Sequence, residues 1–225
     1  MKKRILSILL LCCMVLTMLP TTVLAADGPM DTIPKYDVSI DVYNRTSDIS
    51  IKDSRSYYIY SSVPDKLRDT WAWDKKIFIK GDKTAPHVFI DGVNIEMSPS
   101  SKGPAIELNK KASAYIYFIG KNSSLQGADG RAAIQKNRSE GQLYVLARTG
   151  TTVTCKGGDK AAGIGGSYAT RNISNGYYNG DMYGHGVNMH FGSRSNPDYW
   201  GGIIAAIGGR NGAGIGAGRG GAGEK

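Results

Sequence analysis

The chain is poor in cysteine. Of the three it carries, Cys12 and Cys13 fall in an N-terminal apolar run, and only Cys155 lies beyond it. A single thiol allows no internal disulfide and no cysteine-built zinc site, so packing and backbone pairing must carry stability. Histidine is as scarce: His87, His185 and His190 are the full set, and the five-residue spacing of the last two in a loop-like stretch suits solvated residues better than ligands. The formal charge of +9 is spread along the chain with no long Lys/Arg block, which argues against nucleic acid as a partner. No Gly-Lys-Ser/Thr phosphate loop and no dinucleotide fingerprint accompany the glycines. Beyond the N-terminal run, no long stretch has helical periodicity.

What is present starts with a secretory signal. Lys2-Lys3-Arg4 precedes an apolar core over residues 5–19, Pro20 breaks it, and Val23-Leu24-Ala25 provides a cleavage site, so residues 1–25 read as a signal peptide. As an anchor the run is short against the roughly 20 residues a membrane span needs, and no span is expected after cleavage. Leu11 stands before Cys12 where a lipoprotein signal wants a small residue. The expected location is therefore secreted or cell-surface. Loss of Lys2, Lys3 and Arg4 lowers the formal charge by three, and the remaining positive excess favours acidic polysaccharide, teichoic acid or anionic surfaces.

Glycine is abundant, at 30 residues, and it is organised. Gly157-Gly158-Asp159-Lys160-Ala161-Ala162-Gly163-Ile164-Gly165-Gly166 recurs as Gly208-Gly209-Arg210-Asn211-Gly212-Ala213-Gly214-Ile215-Gly216-Ala217, with six of ten positions identical. Two fainter copies lie upstream, Gly103-Pro104-Ala105-Ile106-Glu107-Leu108 and Gly130-Arg131-Ala132-Ala133-Ile134-Gln135. Ile106, Ile134, Ile164 and Ile215 are separated by 28, 30 and 51 residues, the kind of period that marks a solenoid. Between them lie short alternating stretches broken by Gly, Asn, Asp and Ser, three to a unit. The fold expected is all-β, a parallel β-helix with coils of about 28–30 residues, in which strands of neighbouring turns pair about 4.8 Å apart and the four isoleucines form an inward ladder. A β-sandwich is the rival, but it gives no reason for one Ile-centred motif to recur in register.

The expected organisation after the signal is an N-terminal leader and irregular cap over 26–75, then the β-helix over 76–225 with an inserted loop at 168–200. The chain stops soon after a repeat motif with no polar cap, which reads as C-terminal truncation. Residues 64–69 read as one helical turn. Trp71 and Trp73 alternate, so one is expected to face the core.

At Ile90-Asp91-Gly92-Val93-Asn94-Ile95, Gly130-Arg131-Ala132-Ala133-Ile134-Gln135 and the stretch from Gly158 to Gly166, the chain resembles secreted glycine-rich β-helix surface proteins of Gram-positive bacteria, many of them labelled carbohydrate-binding-domain proteins. The likeness covers roughly residues 76–221. It implies a right-handed parallel β-helix of the pectate-lyase-like kind, extracellular, often within a larger surface protein. The insertion at 168–200 departs from the regular repeat.

Enzymes of that fold use clustered acids. Gly184-His185-Gly186 matches one polygalacturonase motif, but the Asn-Thr-Asp, Asp-Asp and Arg-Ile-Lys motifs are missing, and two flanking carboxyl groups are what glycoside hydrolysis needs. No catalytic residue and no metal ligand is assigned; Ca²⁺ stays open only through Asp159, Asp181 and Asp198. The insertion is the candidate site on other grounds. Tyr177, Tyr178, Tyr183, Tyr199 and Trp200, with Asp181 and several asparagines between them, set flat rings beside polar groups, as sugar binding requires. The other reading is that these rings pack over the solenoid and stabilise a longer turn. The expected function is a secreted, non-catalytic surface protein that binds polysaccharide or a host or cell-wall glycan. A polysaccharide lyase or glycoside hydrolase, and a structural stalk or adhesin repeat, are the alternatives.

Overall fold

Short runs such as Ile77-Phe78-Ile79 and Ala114-Tyr115-Ile116-Tyr117 place β-branched and aromatic residues on a pleat, and Gly, Asp, Asn or Ser closes each run before it lengthens. The result, in a computed structural model that describes residues 33–98, 103–109, 111–136, 140–168, 186–193 and 199–219, is a stack of short strands in three sheets. Sheet A is built from β1 (Val38–Asp41), β3 (Ser56–Tyr60), β5 (His87–Asp91), β8 (Ala114–Ile119), β11 (Leu143–Ala147) and β14 (Met189–Phe191), in that order. Sheet B is built from β2 (Ile49–Ile51), β4 (Ile77–Lys80), β7 (Ile106–Asn109), β10 (Ile134–Lys136), β13 (Ile164–Gly165) and β16 (Ile215–Gly216). Sheet C holds β6 (Asn94–Glu96), β9 (Ser123–Gln126), β12 (Thr152–Lys156) and β15 (Ile203–Ile207).

Each of these strand pairs is parallel, and from β5 onward the chain visits A, C and B in turn. This is a parallel β-solenoid of about four full turns with coils near 30 residues, preceded by two partial turns. The parallel pairing rules out the sandwich. β1, β2 and β3 already belong to sheets A and B, so paired coils include residues upstream of 76. One 3-10 turn, Asp65–Leu67, occupies the place where the sequence offers a helical turn.

The core is a set of inward columns. Ile106 pairs with Ile134, Ile134 with Ile164, and Ile164 with Ile215; Ile77 and Ile49 extend the column to six. All but Ile215 are buried, so each interior isoleucine packs against its own kind above and below. Sheet C contributes Ile95, Leu125, Cys155 and Ala206, with Trp73 bridged to Ile95 at the start. Trp73 is the inward member of its pair and donates from Nε1 to the Arg45 carbonyl at 2.7 Å, while Trp71 packs edge-on against Tyr43. Cys155 is fully buried and burial pushes its thiol pKa up, so it behaves as an apolar filler. Lys136 ends a column of Ile51, Ile79 and Leu108, and its buried ammonium donates to the Glu140 carbonyl at 3.2 Å.

Corners repeat one device. A polar side chain of one coil accepts a backbone N–H of the next: Lys76 N donates to Asp48 Oδ1 at 3.1 Å, Lys121 N to Asp91 Oδ1 at 2.9 Å, Ser124 N to Asn94 Oδ1 at 3.0 Å and Thr152 N to Asn122 Oδ1 at 2.8 Å. These bonds satisfy donors that the ladders leave free at the bends. Between sheets C and B the chain turns through left-handed residues at Gly130, Lys160 and Asn211, with φ of 72°, 62° and 64°. The three positions are stacked equivalents: Gly130 N donates to the Asp159 carbonyl and Lys160 N to the Arg210 carbonyl.

The long spacing before Ile215 does not break the register. β14 lies inside the stretch 168–200 that spacing alone reads as one inserted loop, and Leu143 pairs with Met189. From Ile134 to Leu143 is 9 residues against 25 from Ile164 to Met189, and Leu143 to Thr152 is 9 against 14 from Met189 to Ile203. The additional residues therefore fall in two places, before and after β14. On this last coil Phe191, Ile203, Ile207 and Ile215 are exposed, Ile203 by 62%.

Candidate functional site

Tyr177, Tyr178, Asp181 and Tyr183 lie outside the described residues, as do His185 and Asp198. Tyr199 and Trp200 are described. Trp200 lies against Tyr117 with ring centroids 5.1 Å apart and joins an outer cluster with Tyr58, Phe89 and Ile119. Tyr199 meets Trp200 edge-on at 4.7 Å. The backbone here is pinned to the preceding coil, Thr149 N donating to the Tyr199 carbonyl at 2.9 Å and Gly201 N to Thr149 Oγ1 at 3.0 Å. For these two residues packing over the solenoid is what the geometry provides.

The outer face of sheet A carries a longer aromatic column. His87, Tyr115, Tyr144 and His190 occupy equivalent positions in four successive coils. Their ring centroids are 4.7, 4.5 and 4.5 Å apart and their planes within 14° of parallel. His87 Nδ1 lies 3.0 Å from the Tyr117 hydroxyl, and His190 Nε2 lies 2.7 Å from Gln142 Oε1. Rings stacked in this way spend their faces on each other and turn edges to solvent, which leaves little flat surface for a sugar. The two histidines stand three coil steps apart, about 14 Å, with two tyrosines between them, so they do not converge on one ion. Beside the column, the Tyr58 hydroxyl donates to Asp91 Oδ2 at 2.9 Å; burial, then the carboxylate, pushes this phenol pKa up.

A second surface is a cleft over sheet C. Its floor is two outward columns in register, Asn94, Ser124 and Thr154 in one and Glu96, Gln126 and Lys156 in the other. One wall is the segment from Asp65 to Ala72. Arg68 holds it down, donating from Nη1 to the Gly92 carbonyl at 3.0 Å and from Nη2 to the Val63 carbonyl at 3.4 Å, while Asn94 Nδ2 donates to the Arg68 carbonyl at 2.9 Å. The opposite wall is the stacked corner bearing Asp129, Asp159 and Arg210. The half along this corner has a volume of about 730 Å³, and the half between Asp65 and Thr154 about 720 Å³.

Charges in the cleft divide into paired and unpaired. Asp65 meets Lys121 at 2.6 Å and Arg68 at 3.4 Å. Asp159 meets Arg210 through two bonds and Lys160 at 3.5 Å. The hydrogen bond from Lys121 holds the Asp65 carboxyl below its ordinary pKa, and that from Arg210 does the same for Asp159, so both are ionised at neutral pH and neither is a proton donor. Asp69, Glu96, Asp129 and Lys156 line the cleft without an ion pair among the described residues. No group of three or more His, Cys, Asp or Glu among the described residues is placed to hold a metal ion. Among the same residues no helix is long and apolar enough to cross a membrane.

Sequence reasoning passed over this cleft, although a signal existed. Gln126, Lys156 and Ile207 each stand eight residues before a ladder isoleucine, directly ahead of the glycine that opens the corner. Once the isoleucines are set in register, those residues must share a column. Compared with family models, curated proteins and solved structures, the chain matches none.

Proposed function

We propose that the protein is a secreted, non-catalytic surface solenoid that binds polysaccharide along the cleft over sheet C. One observation carries the reading: hydroxyl, amide and charged side chains lie in register along an open cleft, at the spacing of the coils. A linear polymer presents hydroxyls repeatedly along its length, and a rigid floor that offers Ser124, Thr154 and Gln126 meets them without ordering a loop. The N-terminal signal supports export, and with it a place outside the cell. The resemblance to glycine-rich surface proteins of Gram-positive bacteria belongs to the same proposal.

The test is retention of the mature chain on pectin, mucin and peptidoglycan at low salt. Retention on at least one is expected, and a Gln126→Ala, Thr154→Ala double variant weakens it while the thermal midpoint holds. Absence of retention on all three overturns the proposal.

A further inference from the structure

The unpaired charges of the cleft are not randomly placed. Along the column Glu96, Gln126, Lys156, three successive coils present an acid, an amide and a base. Asp69 adds negative charge at the end that carries Glu96, and Asp129 adds it on the middle coil, level with Gln126. Towards the other end the corner carries Asp159, already engaged by Arg210, so Lys156 keeps its charge for a ligand. The pattern runs from negative to positive along the solenoid axis. It sits on a chain whose formal charge is +9 and stays positive after loss of Lys2, Lys3 and Arg4, so the acidic end is a local departure from the general field.

We infer that the ligand is an amphoteric glycan, one bearing both free amines and acidic groups, and that it lies in the cleft in one direction with an amine over Glu96 and Asp69 and an acid over Lys156. The inference rests on the polysaccharide reading above and adds the ligand class and its polarity. A purely anionic chain would meet Glu96 and Asp69 with like charge, and a purely cationic one would meet Lys156. Like-charge contact of this kind discriminates between partners more strongly than it changes affinity for the right one. The two poles are two coil steps apart, about 10 Å along the axis, which flexible Glu and Lys side chains span easily. Both are exposed, so the attraction weakens as salt shortens the screening length.

The experiment compares four probes of equal length on the mature protein by calorimetry at low salt. They are a linear polymer of alternating glucosamine and glucuronate with the amines free, the same polymer fully N-acetylated, a chitosan oligomer, and dextran. The free-amine copolymer is expected to bind tightest. Glu96→Gln and Lys156→Gln are each expected to weaken it about two- to fivefold, the range for an exposed ion pair. Glu96→Gln is also expected to remove the disadvantage of the N-acetylated polymer, and Lys156→Gln that of chitosan. Equal or tighter binding of either singly charged polymer, or two variants without effect, overturns the amphoteric assignment and leaves polysaccharide binding standing. Binding of none of the four overturns both.

Discussion

Arg210 on one coil grips Asp159 on the coil before it through two hydrogen bonds, Nε to Oδ1 at 3.2 Å and Nη2 to Oδ2 at 3.3 Å. The pair repeats at the corner what Asp48 and Asp91 do elsewhere, joining one turn to the next through a carboxylate side chain. Asp53 is likewise lowered in pKa, by its hydrogen bond from Arg55. A group whose pKa is depressed on folding contributes stability above its unfolded pKa and loses it as pH falls through the folded value. The thermal midpoint should therefore hold through the neutral range and fall once pH drops below the ordinary carboxylate value of 3.8. An Asp159→Asn variant should show a shallower acid limb in the same scan.

The isoleucine column ranks positions by depth in the stack. Ile134→Ala should cost about 2–5 kcal/mol and Ile134→Val about 0.5–1.5 kcal/mol, since the space left is closed in above and below by Ile106 and Ile164. Ile215→Ala should cost clearly less than Ile134→Ala, because Ile215 is 47% exposed. Urea denaturation of the three variants checks the order.

Two glycines separate strain from collision. Gly130 has φ of 72°, and a would-be Cβ would meet only the Tyr168 side chain at an ordinary contact distance of 3.6 Å, so Gly130→Ala should cost about 1–2 kcal/mol from conformation alone. At Gly165, with φ of 124°, a Cβ would lie 2.1 Å from the Gly216 carbonyl oxygen on the next coil. Gly165→Ala should therefore push the last coil away, seen as faster amide exchange over β16.

The aromatic column tests which face does the binding. Tyr144→Ala removes two stacked contacts, with Tyr115 and His190, and should lower stability by about 1–3 kcal/mol. Retention on polysaccharide should be unchanged, measured on the same columns as the cleft variants.

The repeat made the scaffold legible. Ile106, Ile134, Ile164 and Ile215 recur with small residues beside them because a crowded corner admits little else, and that constraint acts at the level of the single coil. Ile49 and Ile77 are equally part of the column, yet the corners before them are Ser47-Asp48 and Asp74-Lys75-Lys76 rather than a glycine run, so composition hides them. The cleft was harder to see. Glu96, Gln126 and Lys156 share nothing chemically, and only the register makes them neighbours. Conversely Trp200 has the residue type of a sugar platform, but a hydrophobic ring beside Tyr117 gains more from packing than from solvent.

The register held between Ile164 and Ile215 across a spacing of 51 positions has a practical meaning. Lengthening a closed loop from about 30 to about 51 residues adds only about 0.5 kcal/mol of closure entropy. A turn of this solenoid can thus carry a foreign peptide or small domain between its B and A strands at little thermodynamic cost, and the coils on either side supply the docking frame for such a graft.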